Sequence, residues 1–363
     1  MDQISGFSPK TITGDYYYDP ETFEREKERI FYCTWQYVGH VSMLPAPSTY
    51  IVREIADESV IILRDRDGDL HAFYNVCQHR AHRLLEGDGE LRKIITCPYH
   101  AWSYNHDGNL QNAPGTDGIE DFDKSTICLT SVRLETLCGF LFVNLNNNAT
   151  PLSELAPGLE GEMRSFSSSP EDLKVSNCYD VEIAANWKNS VENYCECYHC
   201  PGKHPTLSQN ALDLKSYEIE CKDYYHVHRS RDKGKQVGYE VDTDTALKPN
   251  EFRSFFIWPN TVFEVYPGGN LTLFQHIPVS PEMTLQRIEW FFSSSEPTKE
   301  EQAVVDFVHV VRLEDIPLCE NVQKGLRSRG YGKGRLVVDA GRTYISEHAV
   351  YDFQRKVVAA LES

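Results

Sequence analysis

Two short Cys–His pairs, Cys77-Gln78-His79 and Cys97-Pro98-Tyr99-His100, constrain this 363-residue chain more than any other stretch. Seventeen residues separate them. Together they offer two thiolates and two imidazoles, a mixed S/N donor set suited to a metal. Tetrahedral zinc is one reading. Zinc-finger spacing, however, groups two Cys and then two His, whereas here each half carries one of each, as CxH and CxxH.

The surroundings are β-rich. Runs at Tyr50–Ile55, Ser59–Arg64, Leu70–Tyr74 and Gly139–Asn144 read as strands, with Asp65–Asp69 and Asn105–Gly108 as hairpin turns. Paired CxH and CxxH loops on such a block form the pattern of a Rieske [2Fe–2S] cluster, in which two Cys hold one iron and two His the other. Neutral imidazoles lower the cluster's negative charge and raise its potential relative to an all-Cys cluster. Ala81 stands where such loops commonly carry glycine, and His82 is read as a loop or interface residue.

Cysteine usage agrees with metal binding. The eleven cysteines are an odd number, and Met1-Asp2-Gln3-Ile4 lacks the basic and apolar regions of a secretory signal. A disulfide scaffold is not expected, and a cytoplasmic location is. No apolar run is long enough to span a bilayer. Acidic residues exceed basic ones by 54 − 36 = 18, and no Lys/Arg patch marks a nucleic-acid surface.

Length predicts about two domains. The reading is residues 1–39 as an N-terminal segment packing with the catalytic domain, 40–150 as the Rieske domain, and 151–363 as the catalytic domain. Glu21–Phe31 has helical spacing, and Asn146–Pro151 is a polar joint. Beyond it, helices are expected over Pro151–Ser165, Trp187–Tyr198, Lys299–Ser328 and His348–Leu361. Strands are expected at Tyr179–Ile183, Arg253–Trp258, Thr261–Tyr266, Leu271–Pro278 and Gln286–Ser293. The fold class is α+β, an antiparallel β Rieske domain plus a catalytic domain of helices on an antiparallel sheet.

A second constellation lies in Glu196-Cys197-Tyr198-His199-Cys200-Pro201-Gly202-Lys203-His204. Pro201 and Gly202 break the helix between the two histidines, so both rings can converge on one metal. Two His and one carboxylate leave open positions, as in non-haem Fe(II) oxygenases. Asp315 is the candidate carboxylate. Cys195, Cys197 and Cys200 could instead build a thiolate site for zinc, or pack as helix thiols. Cys33, Cys128, Cys138, Cys178, Cys221 and Cys319 are scattered and read as core or surface thiols.

In this order the two constellations resemble the α (oxygenase) component of Rieske non-haem iron oxygenases, over nearly the whole chain. Ala72–Cys77, Ile95–Trp102, Glu196–Cys200, Glu314–Ile316, Val322–Tyr331 and Ile345–His348 are similar to the carnitine-type, quaternary-ammonium branch. The resemblance implies a Rieske [2Fe–2S] cluster on Cys77, His79, Cys97 and His100, and a mononuclear Fe(II) on His199, His204 and Asp315. It implies a homotrimer in which Glu196 bridges His100 of the neighbouring subunit to His199, with Asn193 near the iron. It also implies electrons from an NAD(P)H-dependent flavin/iron–sulfur reductase. The chain shows no GxGxxG-to-acid unit of its own for the nicotinamide.

The implied reaction hydroxylates a carbon beside nitrogen, using O2. The carbinolamine then collapses to an amine and an aldehyde. A quaternary ammonium has no N–H to donate, so aromatic faces and carboxylates must recognise it. Tyr194, Trp258, Phe263 and Tyr266 are the candidates, against the alternative that aromatics in strands are simply core. Other functions that fit are a Rieske oxygenase hydroxylating or demethylating an aromatic acid, a Rieske electron carrier with a non-catalytic second domain, and a zinc-binding structural protein.

Overall fold

The structure, a computed structural model, describes residues 6–233, 239, 247, 248 and 250–362. It divides into two compact units. One is Phe31–Pro151; the other comprises the described residues up to Ile30 and from Leu152 onward.

The Phe31–Pro151 unit is wholly antiparallel. Its strands are β1 (Gln36–His40), β2 (Thr49–Ile55), β3 (Glu58–Arg64), β4 (Leu70–Tyr74), β5 (Asp88–Glu90), β6 (Ile95–Thr96), β7 (Ser103–Tyr104), β8 (Leu110–Asn112), β9 (Arg133–Leu137) and β10 (Phe140–Asn144). They form sheets ordered β4-β3-β2-β5, β6-β7-β8 and β1-β10-β9. Val60 to Leu63 are fully buried, as an uninterrupted apolar run in a central strand requires. The β3–β4 turn closes because Asp65 Oδ1 accepts the amides of Asp67 and Asp69, at 2.9 and 2.8 Å. Trp35 Nε1 donates to the Thr150 carbonyl at 2.9 Å, tying the unit's two ends together. The sequence reading assigned residues 31–39 to the N-terminal segment. The structure places them in this unit instead, because β1 pairs with β10.

The other unit is built on a seven-stranded antiparallel sheet. Its strands are β11 (Lys174–Ile183), β12 (Glu218–Cys221), β13 (Tyr225–Arg231), β14 (Glu251–Ile257), β15 (Thr261–Tyr266), β16 (Asn270–Ser280) and β17 (Met283–Phe292), in the order β11-β17-β16-β15-β14-β13-β12. Its helices are α1 (Pro20–Glu26), α2 (Leu152–Leu155), α3 (Leu159–Arg164), α4 (Trp187–Tyr194), α5 (Cys200–Lys203), α6 (Lys299–Leu326) and α7 (His348–Glu362). No helix among the described residues is long and apolar enough to cross a membrane.

α4 is the keel of the metal-binding segment. Asn186 caps it by accepting the Lys188 amide at 3.0 Å. Trp187 Nε1 donates to Glu26 at 2.8 Å, and Lys188 pairs with the same carboxylate, both side chains fully buried. Gln323 of α6 accepts from Asn189 of α4 at 2.8 Å and from the Asn186 amide at 3.0 Å, locking the two helices together. α6 starts at a reciprocal capping box between Thr298 and Glu301.

Candidate metal centres

The two Cys–His loops share one backbone pattern. Ala81 N–H donates to the Cys77 carbonyl at 3.0 Å, and Ala101 N–H to that of Cys97 at 3.1 Å. Cys77 N–H and Cys97 N–H return bonds to the His82 and Trp102 carbonyls, at 2.9 and 2.8 Å. Each loop reverses at an alanine in the left-handed region, φ +55° at Ala81 and +58° at Ala101. Cys77 and Cys97 are buried, while His79 and His100 are exposed at the tip. Their rings stand 4.7 Å apart, and Trp102 stacks on His79. Tyr104 Oη sits 3.2 Å from Cys77 Sγ and accepts the Gln78 amide at 3.0 Å.

A single tetrahedral ion would draw all four donors together. Among the described residues, the tight groups of three or more potential ligands do not include this set. Buried thiols and exposed imidazoles fit a two-iron cluster, which Cys77 and Cys97 would hold from the buried side and His79 and His100 from the exposed side.

The second constellation closes tightly. His199 Nε2, His204 Nε2 and Asp315 Oδ1 converge, with separations of 3.1, 2.9 and 3.5 Å. α4 ends at Tyr194, four residues before the predicted end at Tyr198. Glu196 then folds back so that its Oε2 accepts the Tyr198 and His199 amides, the latter at 3.2 Å. His199 and His204 cap the two ends of the one-turn helix α5, with Pro201 in its first turn. Asp315 enters from α6.

Each imidazole is oriented by a carboxylate on its far nitrogen. Glu196 Oε1 is 2.5 Å from His199 Nδ1, and Glu314 Oε2 is 2.7 Å from His204 Nδ1. With both Nδ1–H groups donated outward, both Nε2 lone pairs face Asp315 Oδ1. Once the imidazoles are deprotonated, three acceptors crowd on one point and need a cation between them. Asp315 Oδ1 is buried without a well-formed hydrogen bond. The donor set therefore fits a small divalent ion with open positions opposite.

The electrostatics agree. Burial would raise the Asp315 carboxyl, but His199, His204 and Arg312 hold it well below the usual range. For His199, burial acts to lower the imidazole, yet Asp315 and Glu196 overcome this and raise it to about 9 in the metal-free site.

Of the candidate substrate residues, Tyr194 and Tyr266 line the cavity that holds the three ligands, with Asn193, Glu196, Tyr217, His228, Phe252, Glu264 and Arg312. Phe263 points to the other sheet face, into a separate apolar cavity with Met163, Phe166 and Val265. Trp258 packs on Phe353 of α7, ring centroids 5.7 Å apart. The sequence reading passed over Glu264, although a strand period of two from Tyr266 points to it. It also passed over Glu314, His228, Tyr217 and Arg312.

Cys197 and Cys200, read from sequence as packing thiols or parts of a thiolate site, are joined as a disulfide. That leaves Cys195 as a buried thiol whose pKa burial pushes well up.

Comparison with known proteins finds a family model for each of the two segments that carry these constellations. A Rieske [2Fe-2S] domain model matches residues 34–123, and a ring hydroxylating alpha subunit (catalytic domain) model matches 170–363. The carnitine monooxygenase oxygenase subunit of Escherichia coli K12 is 39% identical over 351 residues, 94% of this chain and 91% of the relative. That of Acinetobacter baumannii is 38% identical over 348 residues, 94% and 92%. A solved quaternary ammonium Rieske monooxygenase, described for carnitine oxidation and inter-subunit electron transfer, superposes with a TM-score of 0.90. It is 36% identical and covers 97% of this chain and 95% of its own. Both domain matches and the full-length identity show that the chain belongs to the Rieske non-haem iron oxygenases, among the α subunits that join a [2Fe–2S] domain to a mononuclear-iron catalytic domain.

Proposed function

We propose that this oxygenase acts on a carnitine- or betaine-like quaternary ammonium compound, as the terminal component of a reductase–oxygenase pair. The observation that carries the reading is 39% identity to carnitine monooxygenase oxygenase subunits along nearly the whole chain. The cavity lining supports it. Tyr217, Tyr266 and Phe252 offer aromatic faces, and Glu264 adds a buried carboxylate, so a cation without N–H groups finds the surfaces it needs.

In this reading Cys77, His79, Cys97 and His100 hold the cluster, and His199, His204 and Asp315 hold the iron. A cluster held there would supply electrons one at a time, and a ferrous ion held there would supply O2 activation. Glu314 fixes the His204 ring, and Glu196 fixes that of His199. Glu196 also has lone pairs left for His100 of a neighbouring subunit, which makes it the proposed bridge in a homotrimer. Arg312, pinned by Glu264 at 3.1 and 3.3 Å, faces Asp315 Oδ2 at 3.9 Å and keeps Oδ1 turned to the histidines. One oxygen atom enters a C–H bond beside nitrogen. The other leaves as water with two electrons and two protons, and the carbinolamine splits to an amine and an aldehyde.

The test is a substrate panel with an NADH-driven flavin/iron–sulfur reductase and product mass spectrometry. Carnitine, γ-butyrobetaine or glycine betaine should yield an amine and an aldehyde. Turnover of aromatic acids with none of the quaternary compounds reacting would overturn the substrate class.

A further inference from the structure

A second group of metal-ligating side chains lies in the catalytic unit, outside the cavity that holds His199, His204 and Asp315. Cys221, His226 and Asp352 each offer one donor atom, and the three atoms lie within 4.8 Å of one another. Cys221 and His226 are register partners across the β12–β13 pair, and Asp352 comes from α7. His226 Nε2 is 2.7 Å from Asp352 Oδ2. The Lys356 ammonium, one turn further along α7, bonds Asp352 Oδ2 and lies 3.5 Å from His226 Nε2. It also donates to the Lys222 carbonyl at 3.0 Å.

An Asp–Lys pair four residues apart on a helix needs neither a thiol nor an imidazole. Here a fully buried imidazole and a half-buried thiol stand beside it. With its proton on Nδ1, which faces Cys195 Sγ at 4.0 Å, His226 turns the Nε2 lone pair toward Asp352. The carboxylate and that lone pair then point at one cation, the Lys356 ammonium. One sulfur, one nitrogen and one oxygen make a softer donor set than the two nitrogens and one oxygen of the iron ligands, and such a set favours zinc. Three protein ligands leave zinc a fourth position. The Asp352 side chain is 35% exposed and that of Lys356 19%, so solvent reaches that side and the ammonium has a way out. Burial pushes the Cys221 thiol up to about 12, so an incoming ion displaces its proton.

We propose that Cys221, His226 and Asp352 form a second metal site, for zinc, in which the ion takes the place of the Lys356 ammonium. The Cys221 proton leaves to solvent, the ammonium swings to the exposed side, and water fills the fourth position. Bonds of about 2.0–2.3 Å are reached by small rotations of the Cys221 and Asp352 side chains. The ion then ties the β12–β13 hairpin to α7. The site is independent of the quaternary-ammonium reading.

The test equilibrates the anaerobic, cluster-bearing and iron-loaded protein with zinc ion, counts metals by mass spectrometry and reads the zinc environment by X-ray absorption. One zinc per chain should bind without loss of iron, with one sulfur at about 2.3 Å and nitrogen or oxygen at about 2.0–2.2 Å. Cys221→Ala should remove the sulfur neighbour. Lys356→Met, which takes away the competing ammonium, should tighten zinc at least about tenfold in competition with a chelator. No bound zinc, a zinc environment without sulfur, or zinc that enters only as iron leaves would each overturn the site. These readings come from the wild-type protein and stand even where a variant fails to fold. A sulfur neighbour that persists in Cys221→Ala would assign the ion to another cysteine and overturn the proposal. Zinc bound no more tightly by folded Lys356→Met would overturn it too.

Discussion

Glu196 and Glu314 orient one ligand histidine each, but only Glu196 stands on the proposed electron route. Replacing each by alanine should therefore separate two effects. The bonds are 2.5 Å from Glu196 to His199 and 2.7 Å from Glu314 to His204. A charged hydrogen bond is worth about 1.5–3 kcal/mol. Loss of such a partner typically costs a metal site about 10- to 100-fold in affinity. The Glu314 side chain is 36% exposed and that of Glu196 13%, so water screens Glu314 more. Glu196 also caps the Tyr198 and His199 amides. Glu314→Ala should thus lower iron affinity about tenfold, and Glu196→Ala nearer 100-fold. The assay has two stages: ferrous ion titrated against a chelator, then cluster reoxidation followed by visible absorption with excess iron restored. Glu314→Ala should recover a near wild-type reoxidation rate. Glu196→Ala should stay at least about 100-fold slow. Equal rates for the two variants under restored iron would refute the distinct role of Glu196, and affinities within threefold of wild type would refute the orienting role of both.

Other consequences follow from local geometry. Because the His199 imidazole is raised to about 9 in the metal-free site, iron must displace a proton. Its affinity should rise up to tenfold per pH unit toward pH 9 and then level, as ferrous titrations across pH will show. The same shift stabilises the metal-free fold fully below about pH 6.5, and that contribution is lost as pH rises through 9, which thermal unfolding of metal-free protein against pH would reveal. Ala81→Gly should raise the melting point of the cluster-bearing unit by relieving a left-handed alanine worth about 1 kcal/mol. Lys188→Met strands the fully buried Glu26 carboxylate and should cost about 3–5 kcal/mol in denaturant unfolding, with Glu26→Gln in the same chain recovering part.

The parts of this fold legible in sequence are those where chemistry restricts residue type. Cys77, His79, Cys97 and His100 stand out because few side chains bind metal and their spacing is set by two short loops. His199 and His204 are legible as a pair of metal-binding side chains close in sequence, but the helix ends earlier than expected, at Tyr194, and Pro201 and Gly202 lie inside α5. β13 was not foreseen, because His226, His228 and Ser230 share its buried positions with Tyr225 and Val227 and dilute the apolar signal. Glu314 reads as an ordinary helix carboxylate until the tertiary fold brings it to His204. Strand parity separates Tyr266 and Glu264 from Phe263, and composition alone does not say which parity faces the iron ligands. The Cys197–Cys200 bond was equally hidden, since a CxxC spacing reads alike as packing, metal binding or a disulfide.

The most direct measurement is a single turnover of prereduced, iron-loaded protein mixed with O2, with and without γ-butyrobetaine, following cluster absorption and product together. The quaternary ammonium should accelerate cluster oxidation and yield an amine and an aldehyde in equal amounts, while Asp315→Ala should abolish both. Cluster oxidation that ignores every quaternary ammonium compound while three irons per chain are present would contradict the proposed function.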